Sequence, residues 1–169
     1  MRTFIGIKLN DCYNQIIEMQ QEFKRMEIFG NYTLPENVHL TLLFLGELNQ
    51  EEFKKVKLTL NQIEYSSFPV YIDKVKDFKD MMILEIRQST ELMQFQALLN
   101  RALTKENIYN ERRPYYPHIT LIRRCNYKIN KEIALASTVN EAVLFSSERI
   151  NNRLSYIPKH IIQLRGNYA

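Results

Sequence analysis

The sequence predicts an α+β protein: two pseudo-symmetric lobes of antiparallel sheet, helices on the outside, and one strand from each lobe facing a central cleft. Three observations predict it. Short stretches rich in β-formers alternate with longer stretches whose apolar residues recur at helical spacing. The order strand, long helix, Pro-bearing loop, His/Thr strand occurs twice, from the first strand to His39 and from Met81 to His118, each unit spanning roughly 35 residues. The apolar run Val38 to Gly46 contains the polar pair His39 and Thr41, and Pro117 to Arg123 repeats the pattern with His118 and Thr120.

Taken in order, residues 2–9 alternate and predict a first strand. Asn10 or Asp11 is placed to cap a helix with a buried stripe of Ile16, Met19, Phe23 and Met26, which should stop near Gly30. Pro35 leads through an extended loop into the first His/Thr strand. Asn49 and Glu52 form a capping box for a second helix that buries Phe53, Val56, Leu60 and Ile63, with Lys54, Lys55 and Lys57 on its solvated side. Phe68 to Val75 and Met81 to Ile86 read as a strand pair around a polar turn, and Thr90 as the cap of a third helix burying Leu92, Phe95, Leu99 and Ala102. After the second His/Thr strand come a short helix around Lys131 to Ala136 and two strands, Val139 to Arg149 and Leu154 to Leu164. One domain over 1–169 is expected, with approximate lobes 1–75 and 76–169 and tails that cross between them.

Composition narrows the class. No segment has the uninterrupted apolar length of a membrane helix, and the apolar start is broken too early by Lys8 for a signal peptide, so a cytoplasmic protein without a membrane partner is expected. Cys12 and Cys125 are far apart and belong to no metal-type cluster, which fits free thiols. The formal charge of +4 is compatible with an anionic ligand such as a phosphate ester, and decides nothing alone.

Strand alternation puts His39 beside Thr41, and His118 beside Thr120, with the intervening leucine or isoleucine turned to the core. Two imidazoles suit phosphodiester cleavage, in which an attacking water loses a proton and a leaving oxygen gains one. The threonine hydroxyls can donate to the non-bridging phosphate oxygens. No cofactor is required, and a two-histidine metal site lacks Asp, Glu or Cys at ligand spacing. His160, followed by two isoleucines, reads as structural. Arg112, Arg113, Arg123, Arg124 and Lys128 flank His118 and suit phosphate binding; Tyr115 and Tyr116 suit stacking on a base.

With both motifs in view, the sequence resembles the RNA 2′,3′-cyclic phosphodiesterases, historically called 2′-5′ RNA ligases, of the 2H phosphoesterase superfamily. The resemblance rests on Arg2 to Ile7, on Pro35 to Leu42 with Phe44 to Glu47, on Arg113 to Arg123, and on Val143 to Ser147 followed by Tyr156. It implies a two-lobed fold with the motifs in the cleft and metal-independent opening of a terminal 2′,3′-cyclic phosphate to a 2′-phosphomonoester. His39 would be the proton donor to the leaving 3′ oxygen, His118 the acceptor from water, and Thr41, Thr120 and Arg123 would hold the phosphate. The implied partners are RNA ends or small cyclic nucleotide phosphates, met by a monomer. Tyr32 stands where many relatives have tryptophan, and strict alternation would turn Arg124, not Arg123, toward the His118 face. Two other readings stay open: an RNA-end-binding module without turnover, and a 2H enzyme acting on a small cyclic phosphate or a 2′-5′ linkage.

Overall fold

The computed structural model describes residues 1–108 and 113–166. Nine strands and three α-helices are described: β1 (Arg2–Ile7), α1 (Tyr13–Arg25), β2 (Asn31–Tyr32), β3 (Leu40–Glu47), α2 (Gln50–Asn61), β4 (Phe68–Phe78), β5 (Met81–Ile86), α3 (Thr90–Lys105), β6 (His118–Arg123), β7 (Asn130–Val139), β8 (Glu141–Ile150) and β9 (Arg153–Gln163). The strands form two antiparallel sheets, in the orders β3-β1-β8-β9 and β2-β6-β5-β4-β7. Apart from β2, the two orders correspond strand for strand, with the motif strands β3 and β6 in the same place. Sheet membership does not follow a cut at 75/76, because β4 spans it and β8 and β9 return to pair beside β1.

Several elements form for the reasons read from the sequence. Asn49 and Glu52 make the reciprocal capping box of α2, at 2.8 and 3.0 Å, and Val56 and Leu60 are its buried residues. In α3 the buried line is Leu92, Phe95, Leu99 and Leu103, capped by Ser89 rather than Thr90. β4 continues to Phe78, so the expected turn residues Lys76 to Phe78 are ladder-paired with β5.

Three expectations are corrected. α1 ends at Arg25, Met26 is about half exposed, and the buried stripe is Ile16, Gln20 and Phe23, a polar glutamine taking the place expected for Met19. Asp11 does not cap this helix; its carboxylate accepts from the Thr138 N–H at 2.8 Å and so ties the helix start to β7. The short helix expected around Lys131 to Ala136 is instead strand β7. Its ladder with β4 runs from Asn130 to Val139, and Ile133, Leu135, Ser137 and Val139 alternate inward, a period of two that the helix-favouring Lys, Glu and Ala residues obscured.

β2 extends the second sheet beside β6, pairing Asn31 with Arg123 and Tyr32 with Ile122. Gly30 allows that approach. A Cβ there would lie 2.4 Å from Ile122 Cγ2 and 2.8 Å from the Arg123 carbonyl oxygen, the latter a backbone atom that cannot step aside. Gly30→Ala is therefore expected to lower stability by about 1–3 kcal/mol in urea unfolding, the usual range for overpacking; a loss under about 0.5 kcal/mol would show that β2 is not pinned in this way.

Candidate active site

Each histidine is oriented by a carbonyl two residues earlier. His39 Nδ1 lies 2.7 Å from the Asn37 carbonyl oxygen, and His118 Nδ1 lies 2.7 Å from that of Tyr116. A carbonyl only accepts, so Nδ1 carries the proton in both rings and Nε2 is the nitrogen available for chemistry. Asn37 is itself buried and donates its side-chain amide to the Leu154 carbonyl at 2.9 Å, which anchors the His39 approach to β9. His39 Nε2 lies 2.7 Å from Thr41 Oγ1; with a neutral ring the hydroxyl is the donor.

The walls differ between the two lobes. Phe4 and Tyr156 flank the His39 ring at 4.9 and 5.1 Å between centroids. Gly6 leaves room for it, since a Cβ there would sit 3.2 Å from His39 Cδ2. On the other side, the Tyr116 ring stacks on His118 at 5.2 Å, and its hydroxyl donates to Glu85 at 2.9 Å, with Lys76 3.8 Å from the same carboxylate oxygen.

Both motif strands carry a bulge just after the threonine. The β1–β3 register steps from Gly6↔Thr41 to Ile5↔Leu43, passing over Leu42, and the β5–β6 register steps from Ile83↔Thr120 to Met82↔Ile122, passing over Leu121. A bulge reverses side-chain parity beyond it. Arg123 is thereby paired with Met81, on the face that holds Ile83 with Thr120 and Glu85 with His118. Arg124 lies past the strand end with a φ of 50° and is exposed. The β3 counterpart of Arg123 is Phe44. It is paired with Phe4 on the His39 face, and its ring is 55% exposed. Nothing in the sequence pattern marked Phe44, because alternation without the bulge turns it to the other face.

The expected site residues are thus placed as follows. His39, Thr41, His118 and Thr120 are half-buried on two strands that approach one another, and the charges of His118 and Arg123 reach His39. Tyr115 and Tyr116 have protein partners, Thr41 and Glu85 respectively. Lys128 pairs with Asp77 at 3.4 Å, Arg113 is exposed, and Arg112 lies outside the described residues. His160 bonds Asn61 at 2.8 Å. The surface hollows lined by Lys24, Phe29 and Tyr32, and by Lys54, Leu58 and Glu106, contain neither motif histidine. Among the described residues no group of three or more His, Cys, Asp or Glu side chains is arranged to hold a metal ion, and no helix is long and apolar enough to cross a membrane.

Burial pushes the His39 imidazole down from 6.5 to about 4; the Asn37 carbonyl opposes this, and Lys8, Arg123 and His118 add to it. A group with a lowered folded pKa that is neutral when deprotonated favours the fold above its unfolded pKa. Its contribution is fully present above 6.5 and is lost as pH falls toward 4. The ceiling is on the order of 3 kcal/mol, reduced by the part of the ring that still meets solvent. Between pH 7 and pH 4.5 the wild type should lose about 2–3 kcal/mol more unfolding free energy than His39→Gln does. Parallel pH dependences for the two proteins would show that His39 is not held neutral by the fold.

The chain is similar to known proteins in sequence and fold. Residues 7–82 match the family described as LigT like phosphoesterase. The RNA 2′,3′-cyclic phosphodiesterase of Escherichia coli (strain K12) is 27% identical over 135 residues, which cover 76% of this chain and 77% of that protein. The protein of the same name from Bacillus subtilis (strain 168) is 27% identical over 128 residues, covering 72% and 70%. The crystal structure of E. coli LigT complexed with 3′-AMP matches with a TM-score of 0.83 at 28% identity, over 96% of this chain and 97% of that one. With a LigT-like phosphoesterase match over residues 7–82, relatives of one activity and the fold of E. coli LigT along nearly its whole length, the chain is similar in sequence and fold to the LigT-like phosphoesterases.

Proposed function

We propose that this phosphoesterase opens the terminal 2′,3′-cyclic phosphate of RNA to a 2′-phosphomonoester, without a metal ion, using His39 and His118 as acid and base. The observation that carries the reading is the matched pinning of both imidazoles through Nδ1, which turns Nε2 of each away from the backbone, that of His39 toward the Thr41 hydroxyl. In the step proposed, His118 takes a proton from water as its oxygen bonds to phosphorus, the bond from phosphorus to the 3′ oxygen breaks, and His39 protonates that oxygen. Thr41 and Thr120 donate to the non-bridging oxygens, and Arg123 places its positive charge beside them. The names of the relatives in E. coli and B. subtilis support the substrate, and the 3′-AMP complex of LigT supports a nucleotide as ligand. Phe44 offers an exposed ring on the His39 face on which a terminal base can stack. The buried free thiols of Cys12 and Cys125 fit a reducing compartment, and we place the enzyme in the cytoplasm, as a monomer.

The lowered pKa of His39 bears on the division of roles. A donor must hold a proton, which burial opposes, and a bound phosphate supplies the negative charge that offsets this. The same observation favours the reverse assignment, with neutral His39 as the base. A substrate whose leaving atom is sulfur in place of the 3′ oxygen separates the two, because sulfur departs without needing a proton.

Purified protein in EDTA should convert an RNA oligonucleotide ending in a 2′,3′-cyclic phosphate to the 2′-phosphate, and His39→Ala and His118→Ala should each lose about 10²- to 10⁴-fold in rate. With the sulfur substrate, His39→Ala should recover most of its deficit and His118→Ala should not. Recovery in His118→Ala instead would exchange the roles. Inactive wild type that still binds the oligonucleotide would favour an RNA-end-binding module.

A further inference from the structure

The two repeats exchange hydrogen bonds in a matched pattern that reaches the motif strands from the opposite repeat. The second repeat gives the Tyr115 hydroxyl to the Thr41 carbonyl at 2.7 Å and the Gln96 amide to the Leu42 carbonyl at 3.2 Å. The first repeat gives the Thr33 hydroxyl to the Thr120 carbonyl at 2.8 Å and the Gln20 amide to the Leu121 carbonyl at 3.1 Å. In each case a loop hydroxyl holds the motif threonine and a helix glutamine holds the bulged leucine after it. β3 and β6 belong to different sheets, so no ladder between them sets how far one threonine and histidine pair stands from the other.

We propose that Tyr115 and Thr33 are positioning residues for the reaction, each fixing the opposite motif threonine, and through it the separation of the two halves of the site. The proposal rests on the cyclic-phosphodiesterase reading. Both residues act on main-chain carbonyls of the residues that hold the phosphate, so a lost bond displaces Thr41 or Thr120 without removing any group that touches substrate. Such a displacement lowers the stabilisation of the transition state more than the binding of the ground state. Thr41 also donates to His39 Nε2, which links the Tyr115 bond to the orientation of one imidazole.

The test compares Tyr115→Phe, Thr33→Val and Thr33→Ser, with Tyr65→Phe as control. Tyr65 also donates its hydroxyl to a main-chain carbonyl, that of Glu91 at 2.8 Å, and has no part in the site. On the cyclic-phosphate oligonucleotide, Tyr115→Phe and Thr33→Val should each lower kcat by about tenfold or more with KM within about twofold. Thr33→Ser, which keeps the hydroxyl, should retain wild-type kcat, and Tyr65→Phe should change neither constant. Unchanged kcat in Tyr115→Phe and Thr33→Val, equal losses in Thr33→Ser and Thr33→Val, or a fall in KM-normalised activity that only tracks lost folded protein would overturn the proposal. If wild type does not turn over the oligonucleotide, the functional reading fails and ¹⁵N-histidine spectra still decide the geometry. The His39 Nε2 resonance should shift in Tyr115→Phe and stay in place in Tyr65→Phe, and no shift in Tyr115→Phe would overturn the positioning role.

Discussion

A carbonyl that leaves its ladder in the protein interior must find another donor, and two such carbonyls organise this molecule. The bulges pass over Leu42 and Leu121, and half-buried or buried glutamines from α3 and α1 donate to their carbonyls, that of Leu121 accepting from the Thr33 N–H at 2.9 Å as well. An unmet carbonyl in the interior costs about 1–3 kcal/mol, and each of these two draws a donor from the other repeat. Gln20 is 3% exposed and donates to Thr33 as well as to Leu121, which makes the first helix part of the second motif strand's support. The same bulges reverse side-chain parity. They bring Arg123 to the His118 face and Phe44 to the His39 face, so the bulges also decide which side chains stand beside the two histidines.

The electrostatics follow from that docking. His39 is walled by Phe4 and Tyr156, and pinned through Nδ1 to a carbonyl whose residue is itself anchored to β9. Enclosure of this kind disfavours the charged imidazole, and the positive charge of Lys8, Arg123 and His118 acts in the same direction. An arrangement that raises the cost of a cation is one that gains most from an arriving anion. In the proposed reaction a bound phosphate would offset that cost at His39, whichever of the two roles it takes.

Much of this was legible in the sequence, for reasons that can be named. The His-x-Thr pairs stood out because a buried strand has no packing use for them, and their repetition located two equivalent strands. The capping box at Asn49 and Glu52 was legible because it is local. What escaped was what depends on partners distant in sequence. Strand β7 carries helix formers on its exposed side, and only its ladder with β4 decides its conformation. Gln20 has no place in the apolar stripe read for the first helix, because its partner is a carbonyl on β6, 101 residues away. The parity of Arg123 rests on a bulge: alternation alone points to Arg124, and it is the family resemblance that points to Arg123.

The pseudo-symmetry of the scaffold does not extend to the side chains around the two histidines, and the difference is chemical. The His39 ring meets aromatic walls, and the residue five places on is the exposed Phe44; the His118 ring has Tyr116 stacked on it, braced by Glu85 and Lys76, and the residue five places on is Arg123. Duplicated motifs in identical surroundings would titrate alike and could not divide acid from base. Here the backbone repeats, so both rings are pinned through Nδ1 in the same way, while their surroundings differ, which is the asymmetry that the proposed division of acid from base calls for.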